Sequence, residues 1–248
     1  RYASEETDQD RCRLDNQDPR RPLTIDYPST DAGLQRWEWD LHRQDVRCID
    51  NHILFEGYGG PPVAPGRYTV RVTTGGASAS APIEVLPDPR SAATGEEYAA
   101  WVAMQTRIAA MLEGVLEALD GAREARGAVR ALLADHDDPA LAEWGAAAIE
   151  AIDAWEQEIT ELRHETFEDE DAWVMKLDGQ LRHLLDVVED GGAPVTDGAR
   201  ERLADLEAQW SALRAELARI EAEYLAPING WAGDNRVPHV APPLAAEG

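Results

Sequence analysis

The feature that most constrains this chain is a change of hydrophobic period near Pro89. Before it, apolar residues recur at every second position, the repeat of a strand with one buried face. After it they recur every third or fourth position, the repeat of an amphipathic helix. One side-chain pattern cannot serve both periods, so the chain divides into a β part and an α part. The spacing predicts a polar N-terminal segment over 1–21, a small immunoglobulin-like β-sandwich over 22–88, an antiparallel four-helix bundle over 89–235 and a tail over 236–248. The predicted fold class is segregated α+β.

The β signals are short and regularly spaced. Leu23–Ile25 and Ile53–Phe55 read as short strands, and Trp37–Leu41 alternates Trp37, Trp39 and Leu41 with Glu38 and Asp40. Pro65-Gly66 makes a turn into Tyr68, Val70 and Val72 at period two. Gly75-Gly76 then marks a hairpin leading to Ala81, Ile83 and Val85. Strands at this spacing describe a sandwich.

Beyond Leu86–Arg90, Ala, Leu, Glu and Arg dominate. Thr94 with Glu97 forms a capping box that opens a helix running to about Ala134. Its seam is Tyr98, Trp101, Ile108, Leu112, Val115, Leu119, Ala122 and Val129, with Gln105 and Arg126 as polar exceptions. Asp138-Pro139 is an N-cap followed by a proline at the first helical position, starting a second helix that carries Leu141, Ala148, Ile152, Trp155, Ile159 and Leu162. A third helix is predicted from Asp171 with Trp173, Leu177, Leu181, Leu184 and Val188. A fourth starts at Thr196 or Asp197 and steps through Leu203, Leu206, Trp210, Leu213 and Leu217. Short connections then imply up-down packing, with a kink at Pro227 and an extended or disordered tail.

Charge narrows the partners. Forty-eight acidic residues against 23 basic ones give −25, and Lys176 is the only lysine. Such a field repels nucleic acid and anionic lipid, and no apolar run is long enough to span a bilayer. An excess of Asp and Glu over what Arg-for-Lys codon bias explains points to a saline habitat. Arg1 in place of Met implies that a portion preceding it is absent. Cys12 and Cys48 are the only cysteines and have no CxxC or Cys/His company, so a disulfide in an exported chain is one reading and two free thiols the other. The bridge would close a loop of about 35 residues and stabilise by roughly 3–4 kcal/mol.

Catalytic motifs are missing from the sequence: no HExxH, GxSxG, P-loop or GxGxxG occurs. Asp8, Asp10, Asp15 and Asp18 lack the Gly and closing Glu of a calcium loop and read as a solvated tail. Of the six histidines, His164 and His183 flank an inter-helix turn and are placed to approach each other, although surface positions fit them better than a zinc site. No catalytic residue, metal ligand or cofactor is assigned. Trp37 and Trp39 share a strand face; a flat aromatic face stacks on sugar rings, while core packing is the simpler use.

In order, GLQRWEWDL (Gly33–Leu41), VAPGRYTVRV (Val63–Val72), LPDPR (Leu86–Arg90), ETFEDEDAWVMKLDGQL (Glu165–Leu181) and ARERLADLEAQWSAL (Ala199–Leu213) resemble the C-terminal region of bacterial sortilin-like, BNR-repeat "glycosyl hydrolase" proteins. The resemblance runs from about Pro22 to Val240. It implies a secreted or periplasmic protein whose catalysis or ligand binding lies in a β-propeller preceding this region, so no catalytic residue carries over. The cysteine pair and the acidity are features that the resemblance does not explain.

The leading expectation is a non-catalytic accessory region whose partner is that propeller, with a homo-oligomer or another exported protein as further partners. The alternatives are a carbohydrate-binding module using Trp37 and Trp39, or part of a hydrolase whose active site lies in the propeller. The charge itself makes a prediction. The melting temperature rises between low and molar NaCl as salt screens self-repulsion; calorimetry showing a flat response would remove the saline reading.

Overall fold

The structure, a computed structural model, describes residues 2–20, 22–49, 52–53 and 57–243, apart from the side chains of 167 and 170. It is a mixed α+β fold, mostly helical, with one two-stranded antiparallel sheet among the described residues. The helices are α1 (Asp8–Asp15), α2 (Gly95–Asp135), α3 (Pro139–Ile159), α4 (Leu177–Gly191), α5 (Asp197–Ile220) and α6 (Ala226–Asn235). The strands are β1 (Gly66–Thr74) and β2 (Ala77–Val85).

The helical part is built on three rods. The first is α2, whose 41 residues span about 60 Å. Its start is fixed by the Thr94–Glu97 capping box, as the sequence predicts. The third is α5 continued into α6 through a π turn at Glu221–Leu225. Pro227 has no N–H to donate, and the helix accommodates it by one wider turn in which Ala226 N–H bonds to Glu221 O. These two rods run in the same direction: Arg107 meets Glu207 near one end, and His136 packs edge-on against Trp231 near the other.

The middle rod is interrupted. α3 runs antiparallel along the C-terminal half of α2, where Arg123 and Arg126 pair with Glu156. α4 runs the same way along the N-terminal half, where Trp101 Nε1 donates to Val188 O at 2.7 Å. Trp155 Nε1 donates to Leu213 O at 2.8 Å, tying α3 to the third rod. The chain therefore goes up α2, down α3 and α4 in turn, and up α5–α6. This replaces the up-down four-helix bundle. Residues 160–176 form a long connection where a short turn was predicted, because Thr166 and Asp169 make a capping box of their own that closes a 3-10 turn at Phe167–Asp171. Consequently α4 starts at Leu177 rather than Asp171, and Trp173 and Leu162 fall off the seam, 39% and 43% exposed.

The immunoglobulin-like sandwich is likewise replaced among the described residues. Leu23–Ile25 and Trp37–Leu41 belong to no strand, and Ile53–Phe55 lies largely outside the described residues. Apart from β1 and β2, a single bridge joins His42 to Pro62. The alternating run from Trp37 ends where Leu41 turns to φ +66, a conformation that cannot continue a ladder. In place of a third strand, residues 42–49, 52–53 and 57–60 form a strap laid over the rods. Val46, Ile49 and Tyr58 of the strap join the helical core. Gly60 is required there, since a Cβ would stand 2.1 Å from the carbonyl oxygen of Gln44.

The first and last described segments both pack against this body. Residues 8–15, within the segment read as a solvated polar tail, are helical because Thr7 and Asp10 form a capping box. The disulfide Cys12–Cys48, with Cα atoms 6.0 Å apart, joins α1 to the strap. In the tail, Val240 exchanges two hydrogen bonds with the Asn229 side chain, and Pro243 crosses α2 at Gly121.

Leu206 is fully buried where α5 meets α4. Leu206→Asp is expected to destabilise by several kcal/mol, because it buries a carboxylate without a partner. Chemical denaturation reads the loss, and a change below about 1 kcal/mol would place the seam on the wrong face.

Candidate functional site

The break in the middle rod concentrates the buried polar groups. Thr160 caps the end of α3, and Asp178 lies in the first turn of α4, its Oδ1 accepting from Gly179 N at 2.6 Å. His52 of the strap enters between them. Its Nδ1 stands 3.3 Å from Asp178 Oδ2, and its Nε2 stands 3.5 Å from Thr160 Oγ1. The ring of His164 stacks at 6.4 Å from that of His52, and its Nε2 lies 3.1 Å from Trp173 O. All four side chains are buried.

The strap that carries His52 is held from two sides. On the α1 side, Gln9 donates to Val46 O and accepts from Cys48 N, while Asn16 donates to Ile49 O and accepts from His52 N at 2.9 Å. On the helix side, Arg43 donates to Gln105 and Thr106, Arg47 pairs with Asp120, and Arg182 donates to Gly59 O at 2.9 Å. Tyr58 OH closes the loop on His52 O at 2.8 Å.

Burial sets the protonation of the cluster. It pushes the Asp178 carboxyl up to about 7 against the opposing bond from Thr160, and it pulls His52 down to about 3. Both groups are therefore neutral in mildly acidic solution. Thr160, His52 and Asp178 bring together a hydroxyl, an imidazole and a carboxyl, the groups of a nucleophilic triad, but here the hydroxyl bonds the carboxyl directly. The arrangement lacks what that chemistry needs, because a triad carboxylate must hold the imidazole by a hydrogen bond and its hydroxyl must be reachable. Here Asp178 Oδ2, the oxygen that faces His52, takes no hydrogen bond among the described residues, and Thr160 is only 4% exposed. The geometry suits a lock that ties two helix ends to the strap.

Beside the lock, a cleft of about 600 Å³ opens between α2, the end of α3 and Lys176. Its cations are committed: Arg126 to Asp153 and Glu156, Arg163 to Glu161, and Lys176 to Glu158. No group of three His, Cys, Asp or Glu side chains able to hold a metal occurs among the described residues.

The structure places the other sequence candidates elsewhere. His164 partners His52, while His183 is on an exposed face of α4, so the predicted approach of His164 and His183 does not form. Trp37 and Trp39 are half-buried rather than in a core. Trp37 packs on Tyr2 at 4.3 Å; Trp39 meets the edge of Tyr68 at 5.9 Å and donates Nε1–H to His42 O. Cys12 and Cys48 are bonded to each other. Asp10 caps α1, and Asp18 accepts from Arg20 N. Sequence reading missed His52 and Asp178. The available signal was Asp178 on the same helical face as Leu181 and Leu185, a carboxyl where the pattern is apolar.

Comparison with protein-family models, with curated proteins and with solved structures returns no match for this chain. Among the described residues, no helix is long and apolar enough to cross a membrane.

Asp178 makes a pH prediction. Its folded pKa lies above the unfolded value, so its contribution to stability is complete below about 4 and is lost as pH rises through about 7. Asp178→Asn removes this loss and keeps a donor facing His52. The melting temperature of the variant minus that of the native chain should therefore increase from pH 4 to pH 7.5. A constant difference would mean that Asp178 is ionised in the fold throughout.

Proposed function

We propose that this chain is a non-catalytic accessory region of a larger exported protein of the sortilin-like propeller type, and that the β1–β2 ribbon is its contact arm. The observation that carries the reading is the ribbon's separation from the helices: its strands contact each other and none of the helices, with Tyr68 meeting Trp39 at the ribbon's base. Val70 is 42% exposed and Val72 61%. A lone two-stranded ribbon is marginal in water and gains stability when a partner covers its apolar face. In this reading the ribbon is part of an immunoglobulin-like layer that closes only on contact, and the helical rods are the spacer. The disulfide supports a secreted or periplasmic setting. The sealed state of the His52 lock supports a structural role for the most polar interior site. The carbohydrate-binding alternative draws less support, since the two indoles pack on different rings and the Trp39 N–H is committed to the chain itself.

The test pairs binding with turnover. The chain should bind a separately purified propeller region of the same protein, lose that binding when 66–85 is replaced by a short Gly-Ser turn, and hydrolyse no glycoside by itself. Turnover by this chain alone would overturn the proposal.

A further inference from the structure

The contact-arm reading can be taken further, to which edge of the ribbon is used and by what. Gly75 and Gly76, with φ of +52 and +83, form a two-residue turn, which makes Thr74 and Ala77 a hydrogen-bonded pair. In an antiparallel ladder such pairs alternate with pairs whose N–H and C=O groups point away from the partner strand. Counting back from the turn, 72↔79, 70↔81, 68↔83 and 66↔85 are bonded, whereas 73↔78, 71↔80, 69↔82 and 67↔84 point outward. Pro82, which has no N–H, falls on an outward position of β2. That edge is short of a donor at its centre and is poorly suited to strand addition. The outward positions of β1 are Arg67, Thr69, Arg71 and Thr73, and all four carry donors. The free edge of this fold is the outer edge of β1.

We propose that a second copy of this chain occupies it, β1 pairing antiparallel with its counterpart about a two-fold axis at Val70. This register is the one that pairs 67–73 along its whole length. It sets Thr69 opposite Arg71 of the other copy and Arg67 opposite Thr73, so that no arginine directly faces another. Shifting the axis to Thr69 sets Arg67 against Arg71, and shifting it to Arg71 sets that residue against itself. Like charges directly opposed destabilise a ladder. On the other face the same register sets Tyr68 against Val72 and Val70 against Val70, the aromatic and β-branched pairs that stabilise sheets. The product is a four-stranded sheet in the order β2-β1-β1-β2. Its apolar face runs through Tyr68, Val70, Val72, Ala79, Ala81 and Ile83 of both copies.

Charge permits self-contact through this stretch. The whole chain carries −25, whereas 66–85 holds Arg67 and Arg71 against Glu84 alone. Neither arginine is in an ion pair among the described residues, and the ribbon stands clear of the acidic helices. Two copies can join here without bringing their acidic surfaces together, and salt strengthens the pairing by screening the remainder.

Sedimentation velocity of the full chain, from micromolar to several hundred micromolar and at low and molar NaCl, should show a dimer that strengthens with salt. Thr69→Pro removes one outward N–H per copy and leaves the β1–β2 ladder intact; it should weaken the dimer roughly ten- to a hundredfold. Ser80→Pro applies the same change to the β2 edge and should leave the dimer unchanged. Val70→Cys should cross-link the two copies under mild oxidation, because a non-bonded antiparallel pair holds its Cα atoms about 4.5 Å apart. The proposal is overturned by a chain that stays monomeric throughout, by equal weakening from both prolines, or by a Val70→Cys variant that does not cross-link. If the chain is monomeric yet binds the propeller region through 66–85, the second-copy inference fails and the contact-arm reading stands.

Discussion

The structure depends on repairing a broken helix in its interior. A helix end leaves backbone N–H and C=O groups without intrahelical partners, and the middle rod has two such ends facing one buried gap. Thr160 and Asp178 supply polar groups from the two ends and bond to each other. His52 enters from outside the helical sequence, its Nε2 3.5 Å from Thr160 Oγ1 and its Nδ1 3.3 Å from Asp178 Oδ2, an oxygen that takes no hydrogen bond among the described residues. Burying His52 and Asp178 would be costly if either were charged, and burial keeps His52 neutral and holds Asp178 neutral below about pH 7. From this requirement the rest of the N-terminal structure follows. A strap must carry the histidine to the gap, α1 must brace the strap, and the Cys12–Cys48 bridge fastens the two together.

Much of the helical part was legible because it rests on local signals. Thr94 with Glu97, and Asp138 with Pro139, mark helix starts that the structure keeps. The seam of α2 is buried at Trp101, Ile108, Leu112, Val115, Leu119, Ala122 and Val129. Its two polar exceptions proved informative: Gln105 receives Arg43 of the strap, and Arg126 receives Asp153 and Glu156 of α3. What could not be read locally was the order of the rods. Periodicity says that a helix has a buried face but not which helix covers it, and α3 and α4 would look the same side by side or end to end. The capping box at Thr166 and Asp169 was the one local sign of the break.

The β part shows the opposite balance. The hairpin was legible because Gly75-Gly76 fixes its turn, while the Trp37–Leu41 alternation suggested a strand that does not pair. Alternation records that a segment has two unlike faces, and an unpaired surface segment satisfies that as well as a strand does. The site was the least legible part, because its members come from positions 52, 160, 164 and 178 and are joined only by the fold.

The central claim is that His52 is the group holding the interrupted rod together, and hydrogen exchange tests it most directly. In His52→Ala, amides at the end of α3 and the start of α4 should exchange faster than in the native chain, with the middle of α5 and the ribbon unaffected. Unchanged protection on both sides of the gap, or a loss spread evenly over all helices, would contradict the account.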